Sequence, residues 1–316
     1  MSALRRMIRG RATRLRKGPA MAQGRGVLRG ASGIVAAIAI VGTVVASVGP
    51  AAAQSAPSAE PFARLYDVPP EAAADLSESA LSAKRGWTPV EAGDEAHRFQ
   101  GAAVLMNDKI VAVLHPATAD VDVYSRQTGG LKRCARLRPV GADGAAMRRT
   151  GLKVRANRPH GVSLEVGLAS PAEGPCHVTY DLAVGAAFLR TTAAGVARLR
   201  VLAPCRFAVV PDFFGDDIVV DAAALPLARA DLPADHFLMH LMHGGECIVM
   251  TVSEAAERDV QVAVATGGAP AIESSDIPYD KPHVWVAVLA GRGIWHERTV
   301  AAADGARQTR SGSSSP

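Results

Sequence analysis

From about residue 100 the chain alternates. Val162, Leu164 and Val166 are separated by Ser163 and Glu165, and Val260, Val262 and Val264 by Gln261 and Ala263. Side chains two apart share one face of a strand, so this period predicts strands with one face in a core and the other nearer solvent. Runs of this kind recur as AAVLM, IVAVLH, VDVYSR, GVSLEVGL, CHVTYDLA, VARLRVLA, ECIVMTVS, VQVAVA and HVWVAVLA, separated by turn signals such as MNDK, QTGG, GADG and HGGE. Many short strands at a spacing of roughly 8–12 residues predict an all-β fold, a large antiparallel β-sandwich over 100–299. No repeat of fixed length is present, which counts against a propeller. Ahead of the strands, PEAAADLSESALSAKRG (70–86) predicts one short N-terminal helix: Pro70 suits a first turn, Glu71 favours its positive end, and Lys84, Arg85 and Gly86 make a stop. The Pro/Ala/Ser-rich stretch 54–68 reads as a linker, so 54–99 is expected to be linker and helix, and 300–316 a disordered tail.

One run admits two readings. In HFLMHLMHGGEC (236–247), His236, His240 and His243 fall at i, i+4 and i+7. A helix from Pro233 to Gly244 would put them on one face and could hold a metal. It would also be apolar almost all round. The alternative is a hairpin with Gly244-Gly245 as a two-residue turn. Pairing about that turn puts Phe237, Met239, Leu241, Ile248, Met250 and Val252 on one face, expected to be the core face. His236, Leu238, His240, Met242, Cys247, Val249, Thr251 and Ser253 share the other, which is mixed and could line a second sheet or a cleft. His236 and His240 would then be about 13 Å apart, too far for one ion. The hairpin is the favoured reading, and with it no metal site is expected here.

The first 53 residues change the charge picture. Residues 1–30 hold nine basic residues and no acid, GIVAAIAIVGTVVASV (33–48) is apolar, and Ala51 and Ala53 suit a small-residue cleavage site before Gln54. That succession reads as a secretory signal peptide over 1–53, with Met21 an alternative start. The apolar run is shorter than the roughly 20 residues a span prefers, so no stable membrane span is expected after cleavage. Of the 35 basic residues, 26 remain beyond it against 30 acidic ones, a net charge of −4. The basic global balance is therefore no argument for nucleic acid. Lys132, Arg133, Arg136 and Arg138 form the densest basic stretch, and they alternate like the solvated outer face of a strand. An extracytoplasmic location, periplasmic or secreted, is expected. It permits disulfides among Cys134, Cys176, Cys205 and Cys247, although Cys134 and Cys247 also fit buried free thiols in apolar strands.

Candidate chemistry is sparse. No nucleophile elbow, P-loop, dinucleotide fingerprint, C-x-x-C or H-E-x-x-H pattern occurs. Asp212, Asp216 and Asp217 crowd one loop, where oxygen ligands could hold Ca²⁺ weakly or simply build an acidic turn. Trp295 and His296 follow a Gly-rich turn and are candidates for sugar contact, since an aromatic face with a polar rim suits a pyranose. Trp285 alternates as a core residue. His240, Tyr279 and Arg298 are of the types a lyase needs as base, acid and carboxylate-neutralising cation.

The strand rhythm of 102–202, with VLMNDKIVAVLHPATADVDVYSR, VSLEVGL, VTYDLAVGAAFLR and GVARLRVLAP, resembles the galactose-mutarotase-like β-supersandwich domains found in polysaccharide-active proteins. The resemblance implies a glycan-related role and a polysaccharide partner. It supplies no catalytic residue, because no motif matches position by position. Three expectations follow: an exported module that binds or packs against polysaccharide; a lyase or epimerase-like enzyme on the same scaffold; or a structural envelope protein without ligand.

Overall fold

The computed structural model describes residues 61–73, 78–127, 130–170, 173–211, 217–234, 236–254, 258–265 and 267–297. In chain order the strands are β1 (Ala63–Val68), β2 (Thr88–Pro89), β3 (Ala102–Asn107), β4 (Ile110–Leu114), β5 (Val121–Gln127), β6 (Gly130–Val140), β7 (Arg148–Arg158), β8 (Gly161–Ser170), β9 (Glu173–Ala183) and β10 (Phe188–Ala194). There follow β11 (Arg198–Leu202), β12 (Cys205–Pro211), β13 (Asp217–Asp221), β14 (Arg229–Leu232), β15 (Phe237–Met242), β16 (Cys247–Ser253), β17 (Val260–Val264), β18 (Ile272–Pro278) and β19 (His283–Ala290). Two short helices, α1 (Pro70–Ala73) and α2 (Glu78–Ala83), stand between β1 and β2.

Every pairing is antiparallel, and the pairings form two runs. One sheet runs β2-β1-β3-β4-β5-β6-β11-β18-β17-β14. The other runs β13-β12-β15-β16-β19-β10-β9-β8-β7. They meet by hydrogen bonding at Cys205 opposite Ile272. The first sheet lies on the second strand over strand: β1 on β7 and β8, β3 on β9, β4 on β10, β5 on β19, β6 on β16. The expected all-β sandwich is therefore present. Its core takes Leu65, Leu105, Ile110 and Leu137 from one sheet and Leu164, Leu168, Tyr180 and Leu189 from the other. Each such side chain, removed from water, contributes roughly 1.5–3 kcal/mol.

Ahead of β3, two expectations need correction. The stretch read as linker contains a strand: β1 pairs with β3 over its whole length, because Leu65, Tyr66 and Val68 are apolar enough to be buried on both faces of the sheet. The outer face there is closed by α2, whose Leu81 packs with Tyr66, Val104, Met106, Val111 and Tyr124 in a second, smaller core. The single helix read over 70–86 is two helical segments, and residues 74–77 between them lie outside the described residues.

The histidine run is a hairpin. β15 and β16 pair as Phe237↔Val252, Met239↔Met250 and Leu241↔Ile248, the register set by a turn at Gly244-Gly245. Both glycines have positive φ, +85° and +68°. The sidedness, however, is the reverse of that expected. Leu238, His240, Cys247, Val249, Thr251 and Ser253 point into the sandwich, while Phe237, Met239, Leu241, Ile248, Met250 and Val252 stand half-exposed outside. Trp285 is likewise on the outer face, opposite Val252. The expected segment 1–53 and the tail 300–316 lie outside the described residues.

Candidate functional site

Where β1 meets β2 and the end of β7, a cleft of about 830 Å³ opens. Its wall is fixed by a buried asparagine. Asn157 Nδ2 donates to the carbonyls of Val90 (3.1 Å) and Glu91 (2.6 Å), and Asn157 O accepts from Gly93 N at 2.7 Å. A second asparagine, Asn107, ties the β3–β4 turn to the β9–β10 turn: it accepts from the Lys109 and Ile110 amides and donates to the Ala183 and Ala186 carbonyls. A buried amide with all these bonds made is rigid, since losing any one would leave an unpaired polar group.

Among the described residues four cations line the cleft, Arg64, Lys84, Arg126 and Arg158, with Phe62 and Tyr66 between them and no acidic side chain. The rings hold three of the cations. The guanidinium carbons of Arg64 and Arg126 lie 5.5 and 5.4 Å from the Phe62 centroid, and Lys84 Nζ lies 5.7 Å from that of Tyr66. A cation over a ring is restrained by roughly 0.5–1 kcal/mol at such sites, yet keeps its charge. A carboxylate partner would cancel it.

The contrast is with the outer face of the first sheet, where guanidinium groups are neutralised. Arg136 donates two bonds to Asp122 (2.7 and 2.9 Å), Arg138 two to Asp120 (2.8 and 2.6 Å) and Arg200 two to Asp276 (2.7 and 2.8 Å). Arg138 and Arg200 are direct cross-strand neighbours. Like charges so placed repel, and each turns to its own carboxylate. Burial alone would raise the Asp122 carboxyl, but hydrogen bonds from His115 and Arg136 outweigh it and hold the group well below the usual carboxylate range. His115 Nε2 lies 2.8 Å from Asp122 Oδ2. The basic stretch read as a solvated face is an outer face, but Arg136 and Arg138 are paired on it.

A second cleft, of about 600 Å³, also abuts β7 and also lacks acids; Arg98, Phe99, Gln100 and Arg149 are among its residues. Asp67 shapes its wall by accepting from the Gln100 and Gly101 amides and pairing with His97 at 3.0 Å. Arg149 Nη2 donates to Pro116 O, while its Nη1 is buried without a partner.

The residues singled out in the sequence do not gather. His240 is fully buried and shares a 2.8 Å hydrogen bond with Ser275 Oγ across the sandwich; burial lowers its pKa to about 4. The Tyr279 hydroxyl is buried against Thr191 Oγ1 at 2.8 Å, and burial raises its pKa. Arg298 lies outside the described residues, as do Asp212 and Asp216 of the expected Ca²⁺ loop; Asp217 is exposed at the start of β13. His296 is exposed. Trp295 is half-buried, edge-on to Phe207 at 6.5 Å, with its Nε1 buried and unpaired. Among the described residues no three His, Cys, Asp or Glu side chains form a metal-binding group. All four cysteines are buried free thiols. Sequence reasoning missed Arg64, Lys84, Arg126 and Arg158. They are scattered over 95 positions, and no local spacing marks them as a group.

No protein-family model and no curated protein matches the sequence. Among solved structures, a glycoside hydrolase family 81 protein from Clostridium thermocellum aligns with 60% of this chain and 21% of its own, at 11% identity and a TM-score of 0.29. An alpha-mannosidase from Enterococcus faecalis aligns with 64% of this chain and 30% of its own, at 10% identity and a TM-score of 0.38. The chain thus spans less than a third of either relative. Superpositions this loose carry no argument about activity.

Proposed function

We propose that this protein is an exported β-sandwich module that binds an acidic polysaccharide, one bearing uronate or sulfate groups, along the β7 flank and without chemistry of its own. The observation that carries the reading is the cleft of Arg64, Lys84, Arg126 and Arg158, three of whose cations are held by rings and none of which has a carboxylate partner among the described residues. Guanidinium groups bind carboxylate and sulfate through paired N–H donors. The second acid-free cleft at Arg98 and Arg149 abuts the same strand, so an extended chain could engage both. Export is supported by the basic, apolar and small-residue succession ending at Ala53.

The test is isothermal titration with polygalacturonate, a neutral β-glucan and duplex DNA, at two salt concentrations. Micromolar binding of polygalacturonate, weakened by salt and lost in Arg126→Glu and Arg158→Glu, is the expected result. Equal binding of the neutral glucan would remove charge as the basis, and equal binding of DNA would reduce the cleft to a generic polyanion contact.

A second reading is favoured by one observation. His115, oriented by Asp122 beside Arg136, has the composition of a general base next to a cation. If the protein is a lyase, polyuronate incubated with it develops unsaturated-uronate absorbance, and His115→Ala abolishes that signal without changing affinity.

A further inference from the structure

The four cysteines divide unevenly between the sheets. Cys176, Cys205 and Cys247 stand on β9, β12 and β16 of the second sheet, and Cys134 stands on β6 of the first. Cys205 and Cys247 are two strands apart, Cys176 and Cys247 three, and Cys176 and Cys205 five. At about 4.8 Å per strand these separations are roughly 10, 14 and 24 Å. A disulfide needs Cα atoms within about 7 Å. No two of these three can therefore bridge, and a partner for Cys247 has to come from the opposite sheet.

β6 packs on β16 there, and an irregularity in β6 aims its thiol. Val123 pairs with Ala135 and Tyr124 with Arg133, so Cys134 is the extra residue of a β-bulge. Cys134 and Ala135 are consequently buried side by side, at 3% each, where a regular strand would turn one of them outward. Lys132 shares the inward side with Cys134, and its Nζ meets Glu246, the residue before Cys247, at 3.0 Å. That ion pair holds the two strands together beside the thiols. Cys247 is 1% exposed, yet the Lys132 and Glu246 side chains are 40% and 48% exposed, so the thiols lie just beneath the surface. The neighbouring Cys247 thiol lowers Cys134 to about 7, which leaves part of it as thiolate near neutral pH, and the thiolate is the attacking species. Hydrogen bonding between the sheets is otherwise found, among the described strands, at Cys205 opposite Ile272.

We propose that Cys134 and Cys247 are a redox pair that closes to a disulfide and staples the two sheets together. The oxidant is itself a disulfide, small or carried by a protein. The Cys134 thiolate attacks one of its sulfurs and expels the other as a thiolate. Cys247 gives that thiolate its proton, attacks Cys134 Sγ and expels the second sulfur. One S–S bond breaks and one forms; the cysteines give up two electrons and two protons, and the oxidant leaves as two thiols.

The proposal does not rest on the polysaccharide reading. The test holds the purified chain in millimolar oxidised glutathione, then unfolds it, alkylates it with N-ethylmaleimide and reads it by mass and by a non-reducing peptide map. The expected result is two alkylated cysteines, Cys176 and Cys205, and one linked pair of peptides holding Cys134 and Cys247. The double variant Cys176→Ala, Cys205→Ala should give the same link. The bond closes a loop of more than 100 residues. The urea midpoint of the oxidised chain should therefore stand roughly 1–2 M above that of the chain reduced with dithiothreitol, and Cys247→Ala should show no such difference. Four alkylated cysteines, a link through Cys176 or Cys205, or glutathione adducts alone overturn the pairing. A Cys134–Cys247 link that leaves the midpoint unmoved overturns the staple. The parent chain alone decides the pairing, so a variant that fails to fold does not rescue it.

Discussion

Cys134 and Cys247 are buried thiols on two strands that pack on each other across the sandwich, β6 of one sheet and β16 of the other, and the two thiols are coupled. The Lys132–Glu246 ion pair, 3.0 Å long, ties β6 to the residue just before β16. The neighbouring Cys247 thiol pulls Cys134 down to about 7 despite its burial, and the shared proton pushes Cys247 up. Replacing Cys247 with Ala removes the donor. The Cys134 thiol should then titrate well above 7, near or beyond the ordinary thiol value. Thiolate absorbance at 240 nm against pH measures this, and a midpoint unmoved from about 7 would show that the pair is not coupled.

His240 makes the fold acid-sensitive. Its folded pKa of about 4 lies below the ordinary 6.5, so the unfolded chain binds a proton that the folded one refuses. Stability from this group is intact above 6.5, falls as pH drops, and stops falling below about 4. The full span is about 3 kcal/mol, at roughly 1.4 kcal/mol per pH unit of displacement. A His240→Gln variant should therefore gain on the parent between pH 7 and pH 4 in urea unfolding. A constant gap between the two over that range would refute the assignment.

Arg136→Met should destabilise the protein by about 2 kcal/mol, because Asp122 loses its two shortest cation bonds and keeps His115 at 2.8 Å and Arg133 at 3.8 Å. Arg155→Met removes a partner of Glu165 on an exposed site and should cost less than about 1 kcal/mol. Denaturant midpoints of the two variants compare them directly.

The two turn glycines should differ. At Gly244 an added Cβ meets nothing within 4 Å, so Gly244→Ala carries only the positive-φ penalty, about 1 kcal/mol. At Gly245 the same atom would lie 2.5 Å from the Trp295 carbonyl. Gly245→Ala must therefore also displace the segment that packs Trp295 on Phe207. It should lower the midpoint more than Gly244→Ala does, with a change in tryptophan fluorescence that the other variant lacks.

Much of the fold was legible because it is local. The period of two in 162–166 and 260–264 reappears as alternating burial on β8 and β17. Gly244-Gly245 set the hairpin register to the residue, since a two-residue turn leaves one pairing open to the strands that flank it. β1 was missed for the opposite reason. Its strand is short, and it is held by β3, which begins 34 residues after the end of β1.

The sequence by itself determined that Met239 and Met250 share one face of a hairpin and His240 and Val249 the other. Only the tertiary structure decided which face is inside. Alternation distinguishes two faces but not their surroundings, and here the less apolar face is buried because Ser275 of the opposite sheet offers His240 a hydrogen-bond partner. The clefts obey the same division. Arg64, Lys84, Arg126 and Arg158 are ordinary basic residues in the chain, and pairing of β1 with β3 and the Asn157 staple bring them to one wall. Whether a cation is free or neutralised depends on which carboxylate lies within a few ångströms of it, and that distance is set by packing between strands far apart in sequence.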